Sequence, residues 1–238
     1  MGDLGDLGKL REQKKDKFIA SRLSPLAPRP LPLIMDKYGL AIHTTSPELG
    51  LAISNFAGDS RCSTWELGRS LASHLHHHLA EFIQPQTWSD LAFIAVAKGP
   101  GGFTGTRIGV VTARTLAQQL DIPLFTVSSL AAVAQSYCKE GTIAVQMPAQ
   151  RGQLFTAIYE VTTNGTGLNS LLPDTVMTPE TWQQTLNSWS TEYQLIKAEG
   201  GLGGSVTSLL ELAYIDWQQG KRPDWSEALP FYGQHPVD

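Results

Sequence analysis

Cysteine is nearly absent. Cys62 and Cys138 are the two in 238 residues, too few for a disulfide framework or a four-cysteine zinc site. That usage fits a reducing, cytoplasmic setting. Long apolar runs are missing too. The longest, 91–97, falls far short of the ~20 residues a membrane helix needs, so no membrane association is expected. Neither charge sign dominates. Eighteen Lys+Arg against 22 Asp+Glu leave a net charge of −4, which excludes coating nucleic acid by bulk charge but not a local basic patch. Apolar residues are 42% of the chain and charged residues 17%, ample for a core at a length that suits one bilobed protein or two small domains.

Residues 1–34 differ from the rest. The first 17 mix Lys9, Arg11, Glu12, Lys14, Lys15, Asp16 and Lys17 with few large apolar side chains, and prolines follow at 25, 28, 30 and 32. Such a stretch buries too little surface to offset its ordering entropy. It reads as a disordered extension or an upstream start, with Met35 just ahead of the first strand pattern; a targeting role is the alternative.

From Lys37 the pattern is α/β. Strands are expected at 38–45 and 48–56, and a helix at 65–83, where Leu67, Leu71, Leu75, Leu79 and Phe82 form one apolar stripe. Residues 91–97 read as a strand buried on both faces. A helix over 104–120, a short strand over 124–127 and a helix over 128–137 follow. Residues 142–147 and 153–161 then repeat the opening architecture of strand, polar loop, strand. A helix over 178–187, with Pro179 at its first position, a strand over 195–198 and a helix over 206–218 complete the pattern. The repeat indicates a duplicated two-lobe fold, with lobes at 35–137 and 138–238.

Lys98-Gly-Pro-Gly-Gly-Phe-Thr-Gly105 links a buried strand to a helix, a place where anions bind readily, although a tight packing turn has the same signature. It is not a P-loop, because no Lys-Ser/Thr follows, and Thr104 stands where a third dinucleotide-binding glycine would be. His74 and His78 lie one turn apart beside His76 and His77, but a general-base Glu between them and a third ligand are missing, so a solvated or interface face is favoured over a metal site. Asn164-Gly-Thr166 matches a glycosylation sequon and reads as a turn. Gly200-Gly-Leu-Gly-Gly204 also reads as a turn, with weak nucleotide binding as the alternative.

The run 98–132, KGPGGFTGTRIGVVTARTLAQQLDIPLFTVSSLAA, resembles the signature of the TsaB (YeaZ) family, GPGSFTGLRIGVATAKGLA in its usual form. Residues 39–54 are similar to that family's first hairpin, 67–83 to its histidine-bearing helix, and 150–159 to its second-lobe R-R-G-E-V-Y pattern. The resemblance implies the two-lobed α/β fold of actin, sugar kinases and Hsp70, with a ribonuclease-H-like core in each lobe. It also implies a role in making N6-threonylcarbamoyladenosine in tRNA. The implied partners are a TsaD-like catalytic subunit and a TsaE-like ATPase, or a second copy of the chain, with tRNA reached through the complex.

The same resemblance argues against catalysis by this chain. The fold's magnesium-positioning carboxylate in the first hairpin is here His43, and its second-lobe counterpart is Pro148. A neutral imidazole suits hard Mg²⁺ poorly, and proline offers no ligand. The TsaD-like H-x-x-x-H positions fall at Ser129 and Val133. No catalytic residue, cofactor or metal is therefore expected. The rivals are a self-sufficient kinase or ATPase of the same fold and a metallopeptidase. Gly105, Gly109 and Ala113 recur every fourth residue, and such a stripe needs a closely packed neighbour to offset its cost in helix propensity. That neighbour is either the protein's own sheet or a partner helix. On the second reading Leu71, Leu75, His78, Gly105, Gly109, Val110 and Ala113 are the interface candidates.

Overall fold

The computed structural model describes residues 37–137, 140–161 and 167–233. The extension 1–34, Cys138 and the Asn164-Gly-Thr166 sequon lie outside the described residues.

Alternation and apolar runs set two sheets. In the first, β1 (Tyr38–His43), β2 (Glu48–Ser54) and β3 (Ser60–Glu66) form an antiparallel meander. Strands β4 (Leu91–Ala97) and β5 (Leu124–Val127) extend it in parallel, giving the order β3-β2-β1-β4-β5. The second repeats the plan. β6 (Gly141–Pro148), β7 (Leu154–Val161) and β8 (Leu168–Met177) form a meander, and β9 (Tyr193–Lys197) pairs parallel to β6, giving β8-β7-β6-β9. Two meanders, each with a parallel strand beside its first strand, are the duplicated ribonuclease-H-like architecture of the actin-like fold.

Both faces of the first sheet are covered, which is why β4 is apolar throughout. Ile94 and Val96 meet the helices α1 (Leu71–Phe82) and α2 (Phe103–Leu120); Phe93, Ala95 and Ala97 meet α5 (Val206–Gln218). The leucine stripe of α1 is buried from Leu71 to Phe82. On the second sheet, α3 (Ser129–Tyr137) covers one face through Leu130, Val133 and Ala134, and α4 (Pro179–Asn187) covers the other through Trp182 and Leu186. Thr178 caps α4 by accepting a hydrogen bond from the Thr181 N–H at 3.2 Å. The helices cross over between the sheets. α3, which precedes β6, serves the second core, and α5, near the chain's end, serves the first.

Two strands were not legible. The expected helix at 65–83 starts only at Leu71, because Trp65 belongs to β3 and Gly68 turns the chain at φ 51°. β3 hides because only Arg61, Ser63 and Trp65 are half-buried, and its other face is exposed. β8 carries Pro173, which is tolerated on an edge strand.

Candidate functional site

The glycine-rich segment is a seat for the first hairpin. The β1–β2 turn presents Thr44 and Thr45 to the start of α2. The Gly102 N–H donates to the Thr45 carbonyl at 2.7 Å, and the Thr44 hydroxyl donates to the Gly105 carbonyl at 2.9 Å. A Cβ at Gly105 would overlap the Thr44 carbonyl oxygen, and one at Gly109 the Thr44 Oγ1. The neighbour that the small-residue stripe requires is therefore the protein's own hairpin.

Between the sheets lies a cleft of about 330 Å³, lined by Ser46, Phe103, Pro148, Phe155, Glu199 and Tyr232. Its composition is largely apolar. His43 is fully buried, and neither ring nitrogen has a hydrogen-bond partner. Burial alone pushes its pKa down to about 3, because the charged form has lost its water and gained no compensating group. A fully buried neutral imidazole and a proline offer no side-chain oxygen to a magnesium ion.

Tyr159 donates to Asp174 at 2.7 Å, and its hydroxyl oxygen lies 3.3 Å from the Ser128 hydroxyl. Desolvation raises the pKa of Asp174, and desolvation followed by the Asp174 charge raises that of Tyr159.

A second concavity, about 540 Å³, runs along the outer surface between α1 and α2. Ala72, His76, Ile108, Val111 and Leu116 line it, and Arg107 is its one formally charged group. Val111 is 53% exposed, an unusual amount for valine in the middle of a long helix.

A family model described as "TsaD: tRNA N6-adenosine threonylcarbamoyltransferase" matches residues 72–218. The "tRNA threonylcarbamoyladenosine biosynthesis protein TsaB" of Bacillus subtilis (strain 168) is 44% identical over 98 residues, 41% of this chain and 42% of that protein. That of Escherichia coli (strain K12) is 36% identical over 80 residues, 32% of this chain and 35% of that protein. The solved structure "YeaZ from Pseudomonas aeruginosa" superimposes with a TM-score of 0.67 at 21% identity, covering 82% of this chain and 99% of that one. The chain belongs to the TsaB (YeaZ) family. The matched stretches span less than half the length of the curated relatives. The likeness to YeaZ carries the two-lobed actin-like fold.

Most of the expected TsaB-type interface residues lie inside the molecule. Leu71, Leu75, Val110 and Ala113 are at most 5% exposed and pack in the first core, while Gly105 and Gly109 face Thr44. Of those six, Gly105 is half-buried and the other five are buried within this chain. His78 is half-buried and stacked on Trp65 at 4.6 Å between ring centroids. His74 turns its Nδ1 to the Ser70 carbonyl at 3.0 Å, and His77 lies 3.4 Å from Glu81, so the histidines are engaged separately. The outward faces carry Ala72, His76, Ile108 and Val111 instead. Helical phase separates these positions from the outward ones. Consecutive residues are ~100° apart, so Val110 and Val111 face opposite environments. The signal available in sequence was the pair Ile108/Val111, apolar and off the main stripe. Among the described residues no helix is long and apolar enough to cross a membrane.

Proposed function

We propose that the chain is a non-catalytic, pairing subunit of the machinery that makes N6-threonylcarbamoyladenosine in tRNA, supporting threonylcarbamoyl transfer by a TsaD-like catalytic subunit. The observation that carries this reading is His43. The fold's first catalytic position is sealed in the core as a neutral, unpartnered imidazole, and its second is Pro148. With no carboxylate at either place, neither side chain supplies the hard oxygen ligand that magnesium prefers, which supports the non-catalytic reading. The family match and the names of the relatives support the pathway.

The pairing surface in this reading is the groove between α1 and α2, with a TsaD-like helix pair or a second copy of the chain against it. It supplies a largely apolar lining with one cation, Arg107, and the aromatic Trp88, a composition that suits a partner surface. A TsaE-like ATPase then joins the pair, tRNA is reached through the complex, and the setting is cytoplasmic. The test is a paired calorimetric experiment on the purified chain. Titration with ATP and Mg²⁺ is expected to give no heat and no phosphate release, and titration with the TsaD-like subunit is expected to give saturable binding. Magnesium-dependent phosphate release that disappears on mutating His43 would refute the reading in favour of a kinase or ATPase of the same fold.

A further inference from the structure

The segment after α5 does not stay with its helix. Pro223 accepts a hydrogen bond from the Leu124 N–H at the edge of the first sheet, and Trp225 and Ala228 pack into the first core. The chain then crosses the end of β4. There the Phe231 N–H donates to the Lys98 carbonyl at 2.6 Å, and Tyr232 stacks on Phe103 with ring centroids 4.4 Å apart. One residue later Gly233, at φ 65°, lies against Phe155 and Val176 of the second sheet so closely that a Cβ would come within about 3.0 Å of both. Gly99, at φ 104°, makes the crossing possible. A Cβ there would overlap the Phe231 carbonyl oxygen.

We propose that residues 229–233 are a clasp that pins the two lobes together across the cleft, so that the cleft is held at one opening and does not work as a hinge. Independent ties sit beside it and opposite it. Beside it, the Tyr159–Asp174 pair of β7 and β8 reaches Ser128, the residue that joins β5 of the first sheet to α3 and caps that helix through the N–H groups of Leu130 and Ala131. Opposite it, the Gly203 N–H donates to the Glu48 carboxylate at 2.9 Å, and the Gly203 carbonyl fills the space a Cβ would need at Gly50. The Thr45 and Ser129 hydroxyls join at 2.9 Å between these ties. Nucleotide enzymes with two lobes use their hinge to close on substrate. Here the clasp spends aromatic side chains on preventing that motion. The inference goes beyond the proposed pairing role and does not depend on it.

Hydrogen exchange on the full chain tests the clasp, comparing the unsubstituted protein with Tyr232→Ala, which removes the stack, and Gly233→Val, which wedges the tail off Phe155 and Val176. The reporters are the amides of Phe231, of Gly203 (bonded to Glu48) and of Ser129 (bonded to Gly99). The expected result is exchange about tenfold faster at all three in both variants, with Ala41 and Ala95 in the central strands unchanged. Binding of a hydrophobic dye should rise with it, as the apolar cleft becomes accessible. Faster exchange at Phe231 alone would overturn the proposal, because the tail would then merely lie on the surface. Equal acceleration at Ala41 and Ala95 would overturn it too, because the tail would then be part of the core.

Discussion

Lowering the pH from 7.5 to 5 should destabilise this protein through one residue, His43, and replacing that residue by leucine should remove the effect. The imidazole has a pKa of 6.5 when unfolded and about 3 when folded. The unfolded chain therefore binds the proton first. The stability that depends on keeping His43 neutral is fully present above pH 6.5 and is lost progressively as pH falls towards 3. One proton of difference is worth about 1.4 kcal/mol per pH unit, so the loss is about 2 kcal/mol at pH 5 and about 5 kcal/mol at pH 3. His43→Leu also deletes two buried nitrogens that lack partners. Each such orphan costs about 1–3 kcal/mol, so the variant should be no less stable than the parent at pH 7.5. The assay is urea unfolding of both proteins at several pH values between 7.5 and 5. Asp174 has a raised pKa and works in the opposite direction, gaining stability as pH falls, but it is common to both proteins, as are the histidines of α1. The difference between the two proteins thus isolates His43, and it should grow by about 2 kcal/mol across the range. Parallel pH profiles would refute the reasoning and would mean that His43 finds a partner or water on protonation.

The helix-phase argument for α2 separates two neighbours. Val110→Arg buries an unpaired charge and should cost about 3 kcal/mol or more in unfolding free energy. Val111→Arg, on the groove, should leave melting unchanged and weaken association with a TsaD-like subunit or a second copy, read by sedimentation. The contact between Gly109 and Thr44 gives a double-mutant cycle. Gly109→Ala gains about 1 kcal/mol of helix propensity but should lose more to overlap with the Thr44 hydroxyl. Adding Thr44→Ala should recover part of that loss, with a coupling of at least about 0.5 kcal/mol measured by chemical denaturation. If the two substitutions are simply additive, the close approach is not what requires glycine there.

Periodicity alone determined most of the elements. The run over β4, the leucine stripe of α1 and the Thr-Pro entry of α4 each announce their structure, because burial on two faces, on one stripe and at a cap leave distinct residue patterns. The repeated strand-loop-strand likewise announced two lobes. His43 and Pro148 were visible only as departures from the pattern of the family that the sequence resembles. Edge strands β3 and β8 were not legible, since β3 carries few apolar residues and Pro173 interrupts the pattern of β8. Only the tertiary structure decided what the glycines are for, which valine of α2 faces outward, and where the tail goes. A stripe of small residues records that something comes close, not what comes close. Thr44 is 61 residues from Gly105 in the chain, and Phe231 is farther still from Gly99. Such contacts are set by how the lobes pack, and packing between distant segments leaves no period in the sequence.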